Sequence, residues 1–203
     1  MKVKKIVILL LISGIAARSS GQGKHSPSLA GRREIESTII HFLKWHKKED
    51  SNAASESKTS PSITKGGYPD STTQLRIDTV GITAYQNYLR KSGYLSETFL
   101  AYVRDYYLAI DNELEKRPKT KDLVKVNGLD VDVLLQTYDT VDVLDHIDKA
   151  HLDRCYIVYN KAIARLTISN AVKMVFTLTK TSNKWLIDYI GYDNTSKSSG
   201  GTD

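Results

Sequence analysis

Cysteine is nearly missing from this chain of 203 residues: Cys155 stands alone. One cysteine cannot close an intrachain disulfide, so the fold must be held by its core. None lies near the N-terminus, which excludes an acylated lipoprotein route. A membrane-length apolar run is missing too. "IVILLLI" (6–12) is about half of what a span needs, and Arg18 follows it closely. Beyond the first 17 residues, blocks of positive charge are confined to "KWHKK" (44–48) and "RPKTK" (117–121), both near expected helix ends where lysines oppose the dipole. A localised basic footprint with a reader motif is absent, which speaks against nucleic acid as a partner. There is no glycine-rich phosphate loop, no Gly–x–Ser–x–Gly elbow, no Cys–His pair and no internal repeat.

What is present begins with a sorting signal. Lys2, Lys4 and Lys5 form a basic start, the apolar run follows, and "SGIAAR" offers small residues for cleavage near Ala17. Residues 1–17 read as a signal peptide, and the mature chain as periplasmic or secreted from a bacterium, with no stable membrane anchor. Cleavage removes three lysines and no acid, so the formal charge falls from +6 to +3. Residues 18–31 read as a flexible leader and 194–203 as a disordered tail poor in anything to bury. Between them, 32–193 reads as one α+β domain with a Ser/Thr/Lys-rich loop at 50–66.

Three helical segments come first. In Glu34–Lys48, Ile35, Ile39, Phe42, Leu43 and His46 make one face. Thr83–Lys91 is a short helix with Ala84, Tyr85, Tyr88 and Leu89 inward, and Gly93 breaks it. The third helix has Ser96 as N-cap, Glu97 in its first turn and a Leu95–Leu100 staple. Phe99, Val103, Tyr106, Ile110 and Leu114 share its face, and Pro118 ends it.

From residue 154 the period becomes two. "CYIVY" (155–159), "AIARLTIS" (162–169), "VKMVFTLTK" (172–180) and "KWLIDYIGY" (184–192) are separated by short turns, which predicts an antiparallel meander. In such a strand Cys155 is a buried, inert thiol. Helices first and a sheet afterwards is an α+β order, with the helices on one face of the sheet.

The stretch "LDVDVLLQTYDTVDVLDHID" (129–148) carries six aspartates. A calcium loop needs alternating oxygen ligands, and Leu134 and Leu135 fall where ligands should be. His146 and His151 are five apart with no Cys partner, which does not suit zinc. No metal and no cofactor is expected. Asp139, Asp142, Asp145 and Asp148 recur every three residues and drift around a helix, so they read as a solvated rim on an apolar spine. Asp188 is the one catalytic candidate. Flanked by Leu186 and Ile190 on a concave sheet, it would have a raised pKa and could act as a general base. The opposite orientation, with Trp185, Ile187 and Tyr189 as core, is equally allowed.

A resemblance adds to this reading. "NKWLIDYI", in which Trp185, Ile187 and Asp188 match a Trp–x–Ile–Asp strand, resembles the end of the cone-shaped α+β fold of the superfamily of nuclear transport factor two and ketosteroid isomerase (cystatin-like). "YLSETF" (94–99), "VDVLLQTYD" (131–139) and "NKAIARLTIS" (160–169) resemble an exported bacterial family known as domain of unknown function 3828. Asp132, Leu135 and Gln136 fit its Asp–Pro–Phe–Leu…Gln–Asp pattern, whereas Val133 and Leu134 replace the Pro and Phe, and Tyr138 stretches the spacing to Asp139. The resemblance implies a cone-shaped curved antiparallel sheet with N-terminal helices on one face. The residues read best as a binding domain without catalysis, and the resemblance to this general fold adds one version, protection against delivered cell-wall-degrading toxins. Asp139, Asp142, Asp145 and Asp148 would then meet a basic toxin cleft. The alternative is a small-ligand carrier or isomerase-like enzyme with Tyr106, Trp185 and Tyr189 lining a hydrophobic pocket. A homodimer through the open sheet is a third arrangement.

Overall fold

The computed structural model describes residues 29–54, 60–67, 74–117 and 125–193. The expected signal peptide, most of the expected leader and the expected tail after Asp193 lie outside the described residues. Helix α1 (Leu29–Ala54) is followed by two short strands, β1 (Thr64–Lys65) and β2 (Arg76–Ile77). Helices α2 (Thr79–Ser92) and α3 (Glu97–Glu115) come next, then one turn of helix, α4 (Val141–Leu144), and a 3-10 turn at Ile147–Lys149. A meander follows, of β3 (His151–Val158), β4 (Lys161–Thr167), β5 (Lys173–Thr181) and β6 (Lys184–Tyr192). The strands pair antiparallel in the order β3-β4-β5-β6, and the helices pack on one face of that sheet. The architecture is α+β.

The apolar spacing of α1 does what it predicts. Ile35, Ile39, Phe42 and Leu43 are fully buried, with His46 at the end of the same stripe. They meet Leu166, Met174, Phe176 and Leu178 from the sheet and Phe99 and Val103 from α3 in one core. Each such burial contributes about 1.5–3 kcal/mol. The helix is longer than the stripe, taking in residues 29–31 of the expected leader and the first part of the expected 50–66 loop.

Local signals set the other helices. Asp78 caps α2 by accepting from the Val80 N–H, so the helix begins at Thr79, four residues before the expected Thr83. Gly93 closes it with φ 74° and donates to the Arg90 carbonyl. Ser96 caps α3 through the Phe99 N–H at 3.2 Å, and Leu95 and Leu100 are both buried beside it. The buried stripe of α3 runs through Tyr107 rather than Tyr106. Tyr106 is half-buried and donates to the Gly128 carbonyl at 2.9 Å.

The small β1–β2 pair escapes sequence reading because two residues per strand show no period. It is tied to α3 by one carboxylate. Arg76 makes a two-pronged ion pair with Asp111 at 2.8 and 2.7 Å, and the Ile77 N–H donates to the same carboxylate at 2.9 Å. The Arg76 guanidinium holds the Asp111 carboxyl below its usual range, with the Ile77 amide assisting against a smaller opposing effect of burial. Asp111→Ala is expected to cost about 2 kcal/mol in urea unfolding, and Asp111→Asn about half of that, because the amide acceptor survives.

Two bulges interrupt the meander. Asp153 is the extra residue between Leu152 and Arg154 on β3, and Asp188 the extra residue between Ile187 and Tyr189 on β6. The second one corrects the simple alternation expected for β6. Trp185, Ile187 and Ile190 all face the core, while Tyr189 swings outward. Asp188 and Ile190 therefore do not share a face.

Candidate functional site

The face of the sheet turned away from the helices is the most distinctive surface of the molecule. The register aligns Tyr156 with Ile163, Ile163 with Thr177 and Thr177 with Tyr189, one from each strand. Their side chains form one row across the open face. Tyr156 is 62% exposed, Ile163 54% and Tyr189 46%. Val158 extends the row toward the β3–β4 turn, where Tyr159 is 97% exposed. Tyr159 also has φ 54°, a conformation that favours glycine. A large aromatic therefore occupies a strained, fully exposed turn position. Tyr189 lies across the bare backbone of Gly191: a Cβ on that glycine would sit 2.5 Å from the tyrosine hydroxyl. The ring thus covers a gap in the strand surface and is held flat against the sheet.

Charges frame this row. Arg165 pairs with Asp153 and, at 2.8 Å, with Asp193. At the other end the Thr179 hydroxyl donates to Asp188, Lys161 donates to Thr179, and Lys161 stands 3.4 Å from Asp188. Asp188 is thus on the open face with two partners, on the far side of the sheet from the packed core. The geometry of an isomerase-like base inside a cone is not formed around it.

The proposed pocket residues do not converge. Trp185 is buried in the core, Tyr189 lies on the open face and Tyr106 holds the turn at Gly128. A shallow groove of about 440 Å³ lies elsewhere, on α2, lined by Thr79, Val80, Thr83, Ala84 and Asn87.

The acidic stretch lies across the end of α1. Asp145 pairs with Lys47 at 2.9 Å and Asp148 with Lys44 at 3.1 Å. Asp139 accepts from the Val141 N–H at 2.9 Å, and Asp142 sits exposed in the first turn of α4. Val143, Leu144 and Ile147 are buried beneath them. Much of the negative charge is answered by α1 itself, in exposed pairs that contribute little to stability.

Asp132 behaves differently from its neighbours. It is largely buried, 2.7 Å from His46 Nε2, and its other oxygen accepts from the Leu134 and Leu135 N–H groups at 2.8 and 2.7 Å. Burial pushes this carboxyl up, but His46 and the two amides outweigh it and hold it below its usual value. Tyr85 and Tyr107 pack nearby with their rings edge to face. Burial, followed by neighbouring phenols and Asp132, pushes both hydroxyls up, so they stay neutral. The cluster ties α1, α2 and α3 to the 132–137 turn. Burial likewise pushes the Cys155 thiol up, which makes it a poor nucleophile.

The open-face residues Tyr156, Val158, Tyr159 and Ile163 are absent from the sequence-based site. Their signal is present: "CYIVY" is apolar at every position and Ile163 sits between Ala162 and Ala164, so these strands are apolar on both faces. The pattern does not say which face the helices cover.

Among the described residues no helix is long and apolar enough to cross a membrane, and no group of three or more His, Cys, Asp or Glu could hold a metal ion. No family model matches the chain, and no curated protein matches it. Among solved structures, it is similar at 17% identity and a TM-score of 0.41 to a chain in the crystal structure of the type VI native effector-immunity complex Tae3-Tai3 from Ralstonia pickettii, with 77% of this chain and 93% of that chain covered.

Proposed function

We propose that the chain is an exported binding domain of the immunity type, which engages a protein partner with the open face of its sheet. The in-register row Tyr156–Ile163–Thr177–Tyr189, extended by Val158 and Tyr159, carries this reading. Tyrosines supply rigid contact area with a polar tip, which is why they are enriched where proteins meet. Covering half-exposed side chains of this kind would gain at most about half of the roughly 1.5–3 kcal/mol of a full burial. The other face of the sheet is filled by the helices, and Asp188 is occupied by Thr179 and Lys161, which favours binding over catalysis. Export rests on the basic start, apolar run and small residues of 1–17. A toxin as the partner rests on the resemblance of "NKWLIDYI" to the cone-shaped fold, some of whose periplasmic members protect against such toxins.

The test is capture of the partner from periplasmic extract by residues 18–203, followed by titration of the purified pair. Ile163→Asp and Tyr189→Asp are expected to weaken binding at least tenfold, about 1.4 kcal/mol, while leaving the circular dichroism spectrum unchanged. Asp142→Lys with Asp145→Lys is expected to leave affinity within about twofold. The reverse pattern would move the site to the acidic stretch, and recovery of no partner at all would sink the reading.

A further inference from the structure

The two edges of the sheet are not alike. On β6, the Ile187 N–H donates to the Tyr94 carbonyl and the Ile187 carbonyl accepts from the Ser96 N–H, so the α2–α3 connection covers that edge. On β3, α1 covers the beginning. Glu36 accepts from the Leu152 N–H, and Arg32 donates to the Leu152 and Asp153 carbonyls. Past the Asp153 bulge the cover stops. Among the described residues no backbone hydrogen bond from another segment reaches the outer edge of Arg154–Val158.

Backbone alternation fixes what that edge offers. Val158 and Lys161 flank a two-residue turn, and Val158 pairs with Lys161, Tyr156 with Ile163 and Arg154 with Arg165. Tight hairpins close on a hydrogen-bonded pair, so these three residues direct their backbone groups at β4. Cys155 and Ile157 then direct theirs outward. Of the devices that blunt an edge, the segment carries only the charge of Arg154, beside the Asp153 bulge. It has no proline and no inward charge, and Tyr156 and Val158 are each 62% exposed.

We propose that a second copy of the chain pairs here, antiparallel, about a two-fold axis at Tyr156. The segment is self-complementary in that register. Cys155 of one copy meets Ile157 of the other, and both such pairs exchange hydrogen bonds. Arg154, the one charged residue of the segment, falls opposite Val158, so the two guanidinium groups stay apart. Any register that sets Arg154 against itself places like charges face to face. The Tyr156 rings meet on the axis and join the two open faces into one continuous row. The bulge and the Arg32 and Glu36 contacts end the pairing at Arg154. This inference goes beyond the partner reading and does not depend on it.

Across a non-hydrogen-bonded antiparallel pair the Cα atoms are about 4.5 Å apart, within the span a disulfide bridges. In residues 18–203 carrying Cys155→Ala, Tyr156→Cys is therefore expected to form a covalent dimer under mild oxidation. Arg154→Cys and Val158→Cys alone should form none, but mixed together they should form a heterodimer. Tyr156→Lys, which sets two ammonium groups on the axis, is expected to shift a dimeric light-scattering mass to a monomeric one without altering the circular dichroism spectrum. Tyr189→Asp, at the opposite side of the row, should leave the dimer intact while weakening partner capture, which keeps the two readings separable. A folded Tyr156→Cys protein that does not cross-link, from a chain monomeric at 100 micromolar (roughly a hundred times a 1 μM Kd), overturns the proposal. Slow exchange of the Cys155 and Ile157 amides in such a monomer would assign the edge to a different strand and overturn it equally.

Discussion

Asp132→Ala is expected to lower the unfolding free energy by about 3–5 kcal/mol, a large share of what a domain of this size has. The substitution strips His46 of its partner inside the fold, at a side chain only 9% exposed. It also frees the Leu134 and Leu135 N–H groups that the carboxylate accepts from. Those amides shape the turn in which the Asp132 N–H donates to the Thr137 carbonyl and Gln136 takes φ 53°. Gln136 in turn reaches the Ile190 carbonyl at 2.7 Å, so the turn is anchored to β6. Asp132→Asn keeps an acceptor for the amides and removes the charge. Its cost should be about 1–2 kcal/mol. Urea midpoints at pH 7, with an unchanged slope, separate the two variants.

Acid gives the same pair a second signature. The folded pKa of Asp132 lies below its unfolded value, because His46 and two amides favour the carboxylate more than burial disfavours it. A depressed carboxyl contributes fully above the ordinary carboxylate range and loses its contribution as pH falls through the folded value. The gap between wild type and Asp132→Asn should therefore be constant near neutrality and close below about pH 4. A gap that does not narrow at all as pH falls through the acid range would mean that packing, not charge, is what the substitution removes.

How far these features could be read in the sequence depended on the range of the interaction. The faces of α1, β4 and β5 follow from period alone: Ala162, Ala164, Leu166, Met174, Phe176 and Leu178 are all buried as the alternation predicts. The caps at Ser96 and Gly93 are local and equally legible. The bulge at Asp188 is not local. It is set by how β5 and β6 match across the ladder, and it turned one strand's alternation into a wrong pairing of Asp188 with Ile190. The role of Asp132 depends on a histidine 86 positions away. Within the acidic stretch nothing distinguishes it from the five aspartates around it except the buried Val133–Leu135 that follow. The open face was hidden for a different reason. Strands apolar on both sides state that two surfaces want cover, and only the packed helices reveal which one has it.

Gly81 carries a prediction whose sign runs against helix propensity. In an exposed helix, glycine to alanine gains roughly 1 kcal/mol. Gly81 sits in the first turns of α2, where the backbone of Ser62 and Ile63 crosses the helix. A Cβ there would lie 2.2 Å from the Ser62 carbonyl oxygen and 3.2 Å from the Ile63 Cα. Both obstacles are backbone, so no side chain can rotate away. The crossing segment is itself fixed, because the Ile63 carbonyl accepts from the Asp78 N–H at 2.8 Å and β1 pairs with β2 just beyond. Relief would have to push the β1–β2 pair off α2, loosening the Asp78 cap and straining the Arg76–Asp111 tie to α3. Overpacking of this kind costs about 2–3 kcal/mol, which at this chain length is a fall of roughly 5–10 °C in Tm. Ala84→Gly, on the same helix, supplies the comparison: it should lose only about 1 kcal/mol, as propensity dictates. A melting temperature for Gly81→Ala at or above that of the wild type would show that the crossing gives way freely, and that β1–β2 is not a fixed part of the fold.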